Sequence, residues 1–318
     1  MAAVRVWECG KDGTLRPVQL DQVCTTSADS WYWIDVTDAD VEVIESLECM
    51  SNVHPLAIED VLHRQARPKI DVFDDGVFIT WLTPIHTDEG PLHAVELDAY
   101  LGSRTLVTFR QGDDLVTHEA VEQARSSAAK DPAWLLHGIL DRLVDHIIPI
   151  VEKNSDRLDD LEESLLLATS SQDLVDLYSV RRDLVTLRRL VTPAREVVRA
   201  LARESESTEH GSFWYFQDVL DHLTAVEDAI ETDREVAAAV MDIYLSAQNN
   251  RTNDIMRQLT VVATIFMPLT LISGIYGMNL LGGMWPPVRS YWSFGAVVAA
   301  MVALATAMIA YFRRKNWW

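Results

Sequence analysis

The sequence predicts an α+β domain, then a long stalk helix, then two C-terminal transmembrane helices. Three observations carry that prediction. Charge is segregated: the chain has a formal net charge of -21, yet from Gln258 to Phe312 the only formally charged side chain is Arg289. Two apolar runs, Leu259 to Gly277 and Tyr291 to Phe312, lie inside that segment. Each reaches the length of about 20 residues that a helix needs to cross a hydrocarbon core. Strand-like patterning is confined to the first third of the chain, and helical periodicity fills the remainder.

The N-terminus, "MAAVRVWECGKDGTLRPV", has no apolar core of secretory type. Cys9, Cys24 and Cys49 lie far apart, so no disulfide framework or metal pair is predicted, and a reducing cytoplasmic setting fits. Residues 31–36, 77–82, 95–102 and 104–110 are β-branched and aromatic runs separated by turn signals, and read as strands. "DADVEVIESL" and "HPLAIEDVLH" read as helices, the second with Pro55 at an early helical position. These place an α/β domain over residues 1–128.

From Asp131 the pattern is helical: 133–166, 171–203, and a long stretch from about Ser212, with breaks at 170–174 and 203–212. This gives a helical region over 129–255. After Ser212 the first proline is Pro268, inside the first apolar run. One helix is therefore expected to run from the soluble part into the membrane. At 1.5 Å per residue it would be about 80 Å long, which calls for support by oligomerisation.

The membrane domain is expected over 256–318: a first span at about 257–277, a loop at 278–290, a second span at about 291–312, and a basic tail of Arg313, Arg314 and Lys315. Arg251 and Arg257 precede the first span. The positive-inside rule then puts both termini in the cytoplasm of a plasma (inner) membrane, the loop outside, and Trp285, Tyr291 and Trp292 in the outer aromatic belt. The spans face lipid. The acidic bulk is cytoplasmic, which disfavours nucleic acid and suits cations. No nucleotide-binding P-loop is present, so no nucleotide is expected.

One pattern runs along the long helix. Steps of four and three from Asp242 reach Ser246, Asn249, Asn253, Met256, Thr260, Ala263, Met267, Thr270, Gly274 and Gly277. A soluble coiled-coil seam would be Leu and Ile. This one is small, polar or thioether. Small residues let membrane helices approach closely, and the same residues suit a water-lined pore wall. Two spans per chain cannot enclose a path, so a pore needs several copies around an axis.

"YGMN", Tyr276 to Asn279, closes the first of two C-terminal spans and resembles the signature of the CorA family of divalent-cation transporters. The likeness extends through "DIYLSAQNNRTNDIMRQLTVVATIFMPLTLISGIYGMN", "HPLAIEDVLHRQARPKID" and "FQDVLDH". It implies a funnel-shaped homopentameric channel, not an enzyme, that takes up Mg2+, with Co2+, Zn2+ and Ni2+ as further candidate ions. It implies a selectivity filter at Gly277, Met278 and Asn279. The implied pore positions are Asp242, Asn253, Met256, Leu259, Met267 and Thr270, to which the stripe adds Asn249, Ala263 and Gly274. It also implies regulatory Mg2+ sites between subunits, one made by Asp60 and Asp218 and a second by Glu59 and Asp141.

Mg2+ prefers octahedral oxygen coordination and loses water reluctantly, which a ring of amide oxygens accommodates. No histidine or cysteine lies in the stripe, which argues against direct ligation of a soft metal there. Met256 and Met267 suit a constriction that gates by dewetting. One departure from the family pattern stands out: the loop "LLGGMWPPVRS" (280–290) carries no acidic residue and adds Arg289. The rivals are a zinc transporter of the same superfamily and a membrane-tethered sensor or enzyme. For the last, no nucleophile–base pair is found, and His54, His63, His86 and His93 are scattered.

Overall fold

A seven-stranded sheet of order β2-β1-β3-β7-β6-β5-β4 organises the N-terminal part. Its strands are β1 (Ala3–Cys9), β2 (Leu15–Val18), β3 (Trp31–Thr37), β4 (Lys69–Phe73), β5 (Gly76–Ile85), β6 (His93–Gly102) and β7 (Thr105–Arg110). β3 and β7 are parallel and every other pair is antiparallel. The helices are α1 (Pro55–Leu62), α2 (Leu115–Ser126), α3 (Pro132–Leu167), α4 (Ser171–Glu206), α5 (Phe213–Gly277) and α6 (Tyr291–Arg314). The computed structural model describes the chain apart from residues 1–2, 11–12, 21–22, 24–29, 41–42, 44–52, 64–66, 87–89, 113, 127–128, 168–170, 207–212, 278–290, 316 and 318.

The four strands read from sequence are β3, β5, β6 and β7. β1, β2, β4 and α2 are additional to the elements that the sequence pattern predicts. α4 starts at Ser171, where the helical pattern 171–203 begins, with Asp173 in its first turn, and it continues past 203 to Glu206. An acidic residue there complements the helix dipole. Most of "DADVEVIESL" lies outside the described residues.

Strand register explains the core. Val6, Ile34, Val107, Tyr100 and Phe78 fall opposite one another across five strands. They form one apolar row beneath α1, whose Ala57 is fully buried against them. The next row on the same face is Val4, Val36, Phe109, Asp98, Thr80 and Lys69. It turns polar at Asp98, which is 4% exposed with Oδ1 unpartnered. Burial pushes this carboxyl well above the usual carboxylate range, and the charges of Glu96 and Asp60 act the same way.

The opposite face carries a buried ionic network. Asp35 accepts from Thr108 Oγ1 at 2.9 Å, from Arg110 Nη2 at 3.1 Å and from Arg5 Nη2 at 3.0 Å. Trp33 Nε1 donates to Thr108 Oγ1 at 3.1 Å, and the Trp33 ring stacks on Trp7 with centroids 4.5 Å apart. α3 and α4 pack on each other and reach the sheet.

The chain divides into two compact units, Met1–Met241 and Asp242–Trp318. In the second, Val261 and Ile265 of α5 pack with Phe312 of α6, flanked by Leu269, Ala305, Met308 and Ile309. Among the described residues two helical stretches are long and apolar enough to cross a membrane, Phe213–Gly277 and Phe294–Arg314. α5 runs unbroken for 65 residues and contains Pro268.

Candidate functional site

Within the second unit the predicted stripe occupies one side of α5. An α-helix turns by about 100° per residue. On that basis Met256, Leu259, Ala263, Met267, Thr270 and Gly274 centre about 160° from Val261, Ile265 and Leu269, which pack on α6. The stripe is exposed throughout: Asp242, Asn249, Asn253, Met256, Leu259, Ala263, Met267, Thr270, Gly274 and Gly277 all present surface. Met267 is 72% exposed. Open concavities of about 710 and 550 Å3 run along it, the first lined by Ala263, Met267, Thr270 and Gly274.

Two details separate packing from lining within one chain. A Cβ added at Gly274 or Gly277 would meet nothing within 4 Å, so no contact inside the chain requires glycine there. The hydroxyls of Thr260 and Thr270 donate to the carbonyls of Met256 and Phe266, at 2.7 and 2.8 Å. Their hydrogens are used within the helix, and their lone pairs are left for whatever faces the stripe. Met278 and Asn279 lie outside the described residues, as does the loop that lacks acidic side chains.

The chain's end lies level with the start of the apolar part of α5. Trp317 N donates to Phe312 O at 3.1 Å, and the Arg257 guanidinium lies 6.0 Å from the Trp317 ring centroid. Such a contact is a cation–π pair. α5 and α6 therefore form an antiparallel hairpin.

In the first unit, "HPLAIEDVLH" builds α1 as its sequence suggests. His54 Nδ1 caps the helix by accepting from Leu56 N at 3.2 Å, its ring stacks on Phe73 at 4.1 Å, and Pro55 opens the first turn. Glu59 points to solvent. Asp60 is held by Lys69, whose Nζ is also 3.0 Å from Asp71 Oδ2. Partial burial lowers the Lys69 pKa, but Asp60 and Asp71 outweigh it and the net shift is upward.

Asp141 and Asp218, assigned by resemblance to different sites, come together in one chain. Asp141 lies on α3 and Asp218 on α5, and His137 joins them. One donor atom from each of the three lies within 4.8 Å of the others. A second group, Asp141, Asp145 and His222, meets the same limit and shares Asp141. His137 Nε2 is 3.8 Å from Asp218 Oδ2, and His222 Nδ1 is 3.4 Å from Asp141 Oδ1. Burial lowers the His137 pKa, against the opposing pull of Asp141 and Asp218. Glu59 and Asp60 belong to neither group. Sequence reasoning missed His137, Asp145 and His222. The available signal was spacing: 137, 141 and 145 recur every four residues, as do 218 and 222, which puts each set on one helix face.

Comparison with known proteins follows the same outline. A family model described as CorA-like Mg2+ transporter protein matches residues 28–314. The cobalt/magnesium transport protein CorA of Thermotoga maritima is 35% identical over 294 residues, covering 90% of this chain and 83% of its own. The zinc transport protein ZntB of Cronobacter sakazakii is 27% identical over 332 residues, covering 99% of this chain and 96% of its own. The solved CorA magnesium transporter of Methanocaldococcus jannaschii superposes with a TM-score of 0.82 at 25% identity, covering 100% of both chains.

Proposed function

The chain belongs to the CorA-like Mg2+ transporter family, and from that premise we propose that it is a divalent-cation channel whose main ion is Mg2+, with Co2+ as a second. It is no enzyme in this reading. The observation that carries the proposal is the exposed stripe of α5, uncharged from Met256 to Gly274 and turned away from α6. Five copies around an axis would bring five stripes together and enclose a path, with each α6 outside them and in contact with lipid. Gly277, Met278 and Asn279 would form the filter at the outer mouth. Asn249 and Asn253 would offer amides to a hydrated ion, and Met256, Leu259 and Met267 would form the apolar constriction. Asp242 would mark the inner end.

Both termini are cytoplasmic in this reading, in a plasma membrane. The hairpin geometry supports it, since it sets the basic tail level with Arg257. Regulation is assigned to carboxylates of the soluble part: Asp60 with Asp218, and Glu59 with Asp141, across neighbouring subunits. Five chains carry five times -21, or -105 formal charges. Bound Mg2+ would neutralise facing carboxylates and hold the closed assembly, and falling Mg2+ would release it, a ligand-shifted equilibrium. Uptake needs no nucleotide, because a doubly charged ion gains about 4.6 kcal/mol per 100 mV of membrane potential.

Similarity to ZntB across 99% of this chain favours zinc as the second reading of the cargo. Reconstituted vesicles with an inside-negative potential and competing Mg2+, Co2+, Zn2+ and Ni2+ decide between them. Mg2+ and Co2+ uptake is the expected result. Zn2+ uptake with Mg2+ excluded overturns the ion assignment, and no flux of any ion overturns transport.

A further inference from the structure

A cavity of about 340 Å3 lies between α1 and the sheet, apart from the stripe and from the regulatory carboxylates. Val61 and Leu62, at the C-terminal end of α1, form its roof, and the α1-facing side of the sheet forms its floor. Asp98 lies opposite Phe109 at the inner end. Glu96 follows two residues along β6 on the same face, and Asp38 and Ala39 follow the end of β3. Among the described lining residues Asp38, Glu96 and Asp98 are acidic and Arg110 is basic. The Arg110 guanidinium engages Asp35 on the opposite face of the sheet.

Asp98 calls for a partner from outside the chain. It is buried, and its Oδ1 has no hydrogen-bond partner. Nearly all buried polar atoms in folded proteins are partnered, so an orphan carboxyl oxygen in a cavity wall requires an explanation. Burial raises the Asp98 pKa, and the charges of Glu96 and Asp60 add to the shift, so a cation brought to this carboxyl is favoured. The C-terminal end of α1 adds the negative end of its dipole. At the mouth Asp38 is fixed by Gly112 N, which donates to Oδ1 at 2.8 Å. A Cβ on residue 112 would come within 2.6 Å of Asp38 Oδ2, so glycine leaves that carboxylate its place.

Shape sets the class of cation. Asp38, Glu96 and Asp98 form no group with donor atoms within 4.8 Å of one another, so they do not converge on one metal ion. On a sheet, Cα atoms two residues apart along a strand are about 7 Å apart, and those two strands apart are about 10 Å apart. Such spacings are within reach of an alkane diamine or polyamine. The volume is that of a small-molecule site. Each ammonium head donates three hydrogen bonds, and the methylenes between heads suit Val61, Leu62, Ala39 and Phe109. We propose that this cavity binds an organic polycation of the alkyl diamine or polyamine class, with one ammonium against Asp98 and Glu96 and another against Asp38. The inference does not rest on the transport or regulatory readings.

The test titrates putrescine and spermidine calorimetrically into the full chain in detergent, at about 0.15 M NaCl and with excess Mg2+. The expected result is one amine per chain, retained against Mg2+. Asp98→Asn and Glu96→Gln should each weaken binding by about tenfold or more, the loss of a hydrogen bond to a charged group. Glu163→Gln removes the same charge from an exposed position on α3 and should leave the affinity unchanged. Absence of saturable binding, or loss of the amine to Mg2+, overturns the proposal. One amine per five chains overturns it too, by putting the amine on the axis of the assembly. Equal weakening in Glu163→Gln reduces the binding to bulk charge, and unchanged affinity in the two cavity variants removes the site. Butylamine carries one ammonium, as a lysine side chain does. If it binds as tightly as putrescine, the cavity takes a protein side chain and the polyamine assignment falls. Should Asp98→Asn fail to fold, Glu96→Gln alone serves, because that side chain is only half-buried. A chain that transports Mg2+ but binds no amine refutes only this inference. One that binds the amine but moves no ion refutes only the transport reading.

Discussion

Replacing Asp35 by Asn should destabilise the first unit by about 3–5 kcal/mol, the cost of breaking a buried ion pair by removing one partner. The magnitude follows from Arg110, whose side chain is 3% exposed against 0% for Asp35. The Asn amide keeps one acceptor but turns N–H hydrogens toward a guanidinium that has only N–H hydrogens to offer. Arg110 then carries a buried charge with its carboxylate gone. Arg5 adds little to the total. Its side chain is 36% exposed and keeps Glu122 at 2.5 Å, so solvent and that second carboxylate compensate. For a unit of this size each kcal/mol lowers Tm by about 2–4 °C, so the expected drop is about 6–20 °C. Thermal unfolding followed by tryptophan fluorescence suits the measurement, since Trp33 is hydrogen-bonded into the network through Thr108. Asp35→Leu with Arg110→Met removes both charges and should recover most of the loss, as apolar replacements of buried ion pairs often do. A drop under about 3 °C in Asp35→Asn, or a double variant less stable than the single one, would refute the reasoning.

Asp98→Asn should change how stability depends on pH. The folded pKa of Asp98 lies above its unfolded value. Its contribution is therefore fully present below the unfolded pKa, and is lost as pH rises through the folded pKa. The neutral variant lacks that loss, so its Tm relative to the parent should increase from pH 5 to pH 9; a constant difference counts against it. Asn279→Ala should abolish Mg2+ uptake into vesicles, and parental flux in that variant removes the filter role. Asp60→Ala with Asp218→Ala should leave the channel conducting at high internal Mg2+; closure at the parental Mg2+ concentration contradicts the sensing assignment. Met267→Asn should raise flux by wetting the constriction, and an unchanged rate argues that the barrier lies elsewhere.

Much of this architecture is legible in the sequence because it depends on local pattern. The spans declare themselves by the absence of charge, and β3, β5, β6 and β7 by runs of Trp, Val, Ile and Phe. β2 and β4 escape for a physical reason. They are the two sheet edges, and an edge strand needs less apolar patterning. β2 has four residues including Pro17, and β4 places Lys69 and Asp71 where solvent reaches them. α2 is obscured by its polar make-up and opens on an Asp114 cap, whose carboxylate accepts from Val116 N and Thr117 N. The stripe on α5 is readable because spacing alone sets a helix face. Which side of the helix α6 covers is not, since that depends on tertiary packing. The same limit hides the imidazole cluster: His137 and Asp218 are 81 positions apart, and only the packing of α3 beside α5 reveals them as neighbours.

The threonines of α5 have one more consequence. With their hydrogens committed to backbone carbonyls, the stripe from Leu259 to Gly274 accepts hydrogen bonds and donates none. Water bound to a cation points its hydrogens outward and finds acceptors on such a surface. Water bound to an anion points its oxygens outward and finds no donor. In the proposed channel, a surface of this kind would sort ions by the polarity of their hydration shells. It needs no fixed charge to do so, and a preference that does not rely on fixed charge is not weakened by added salt.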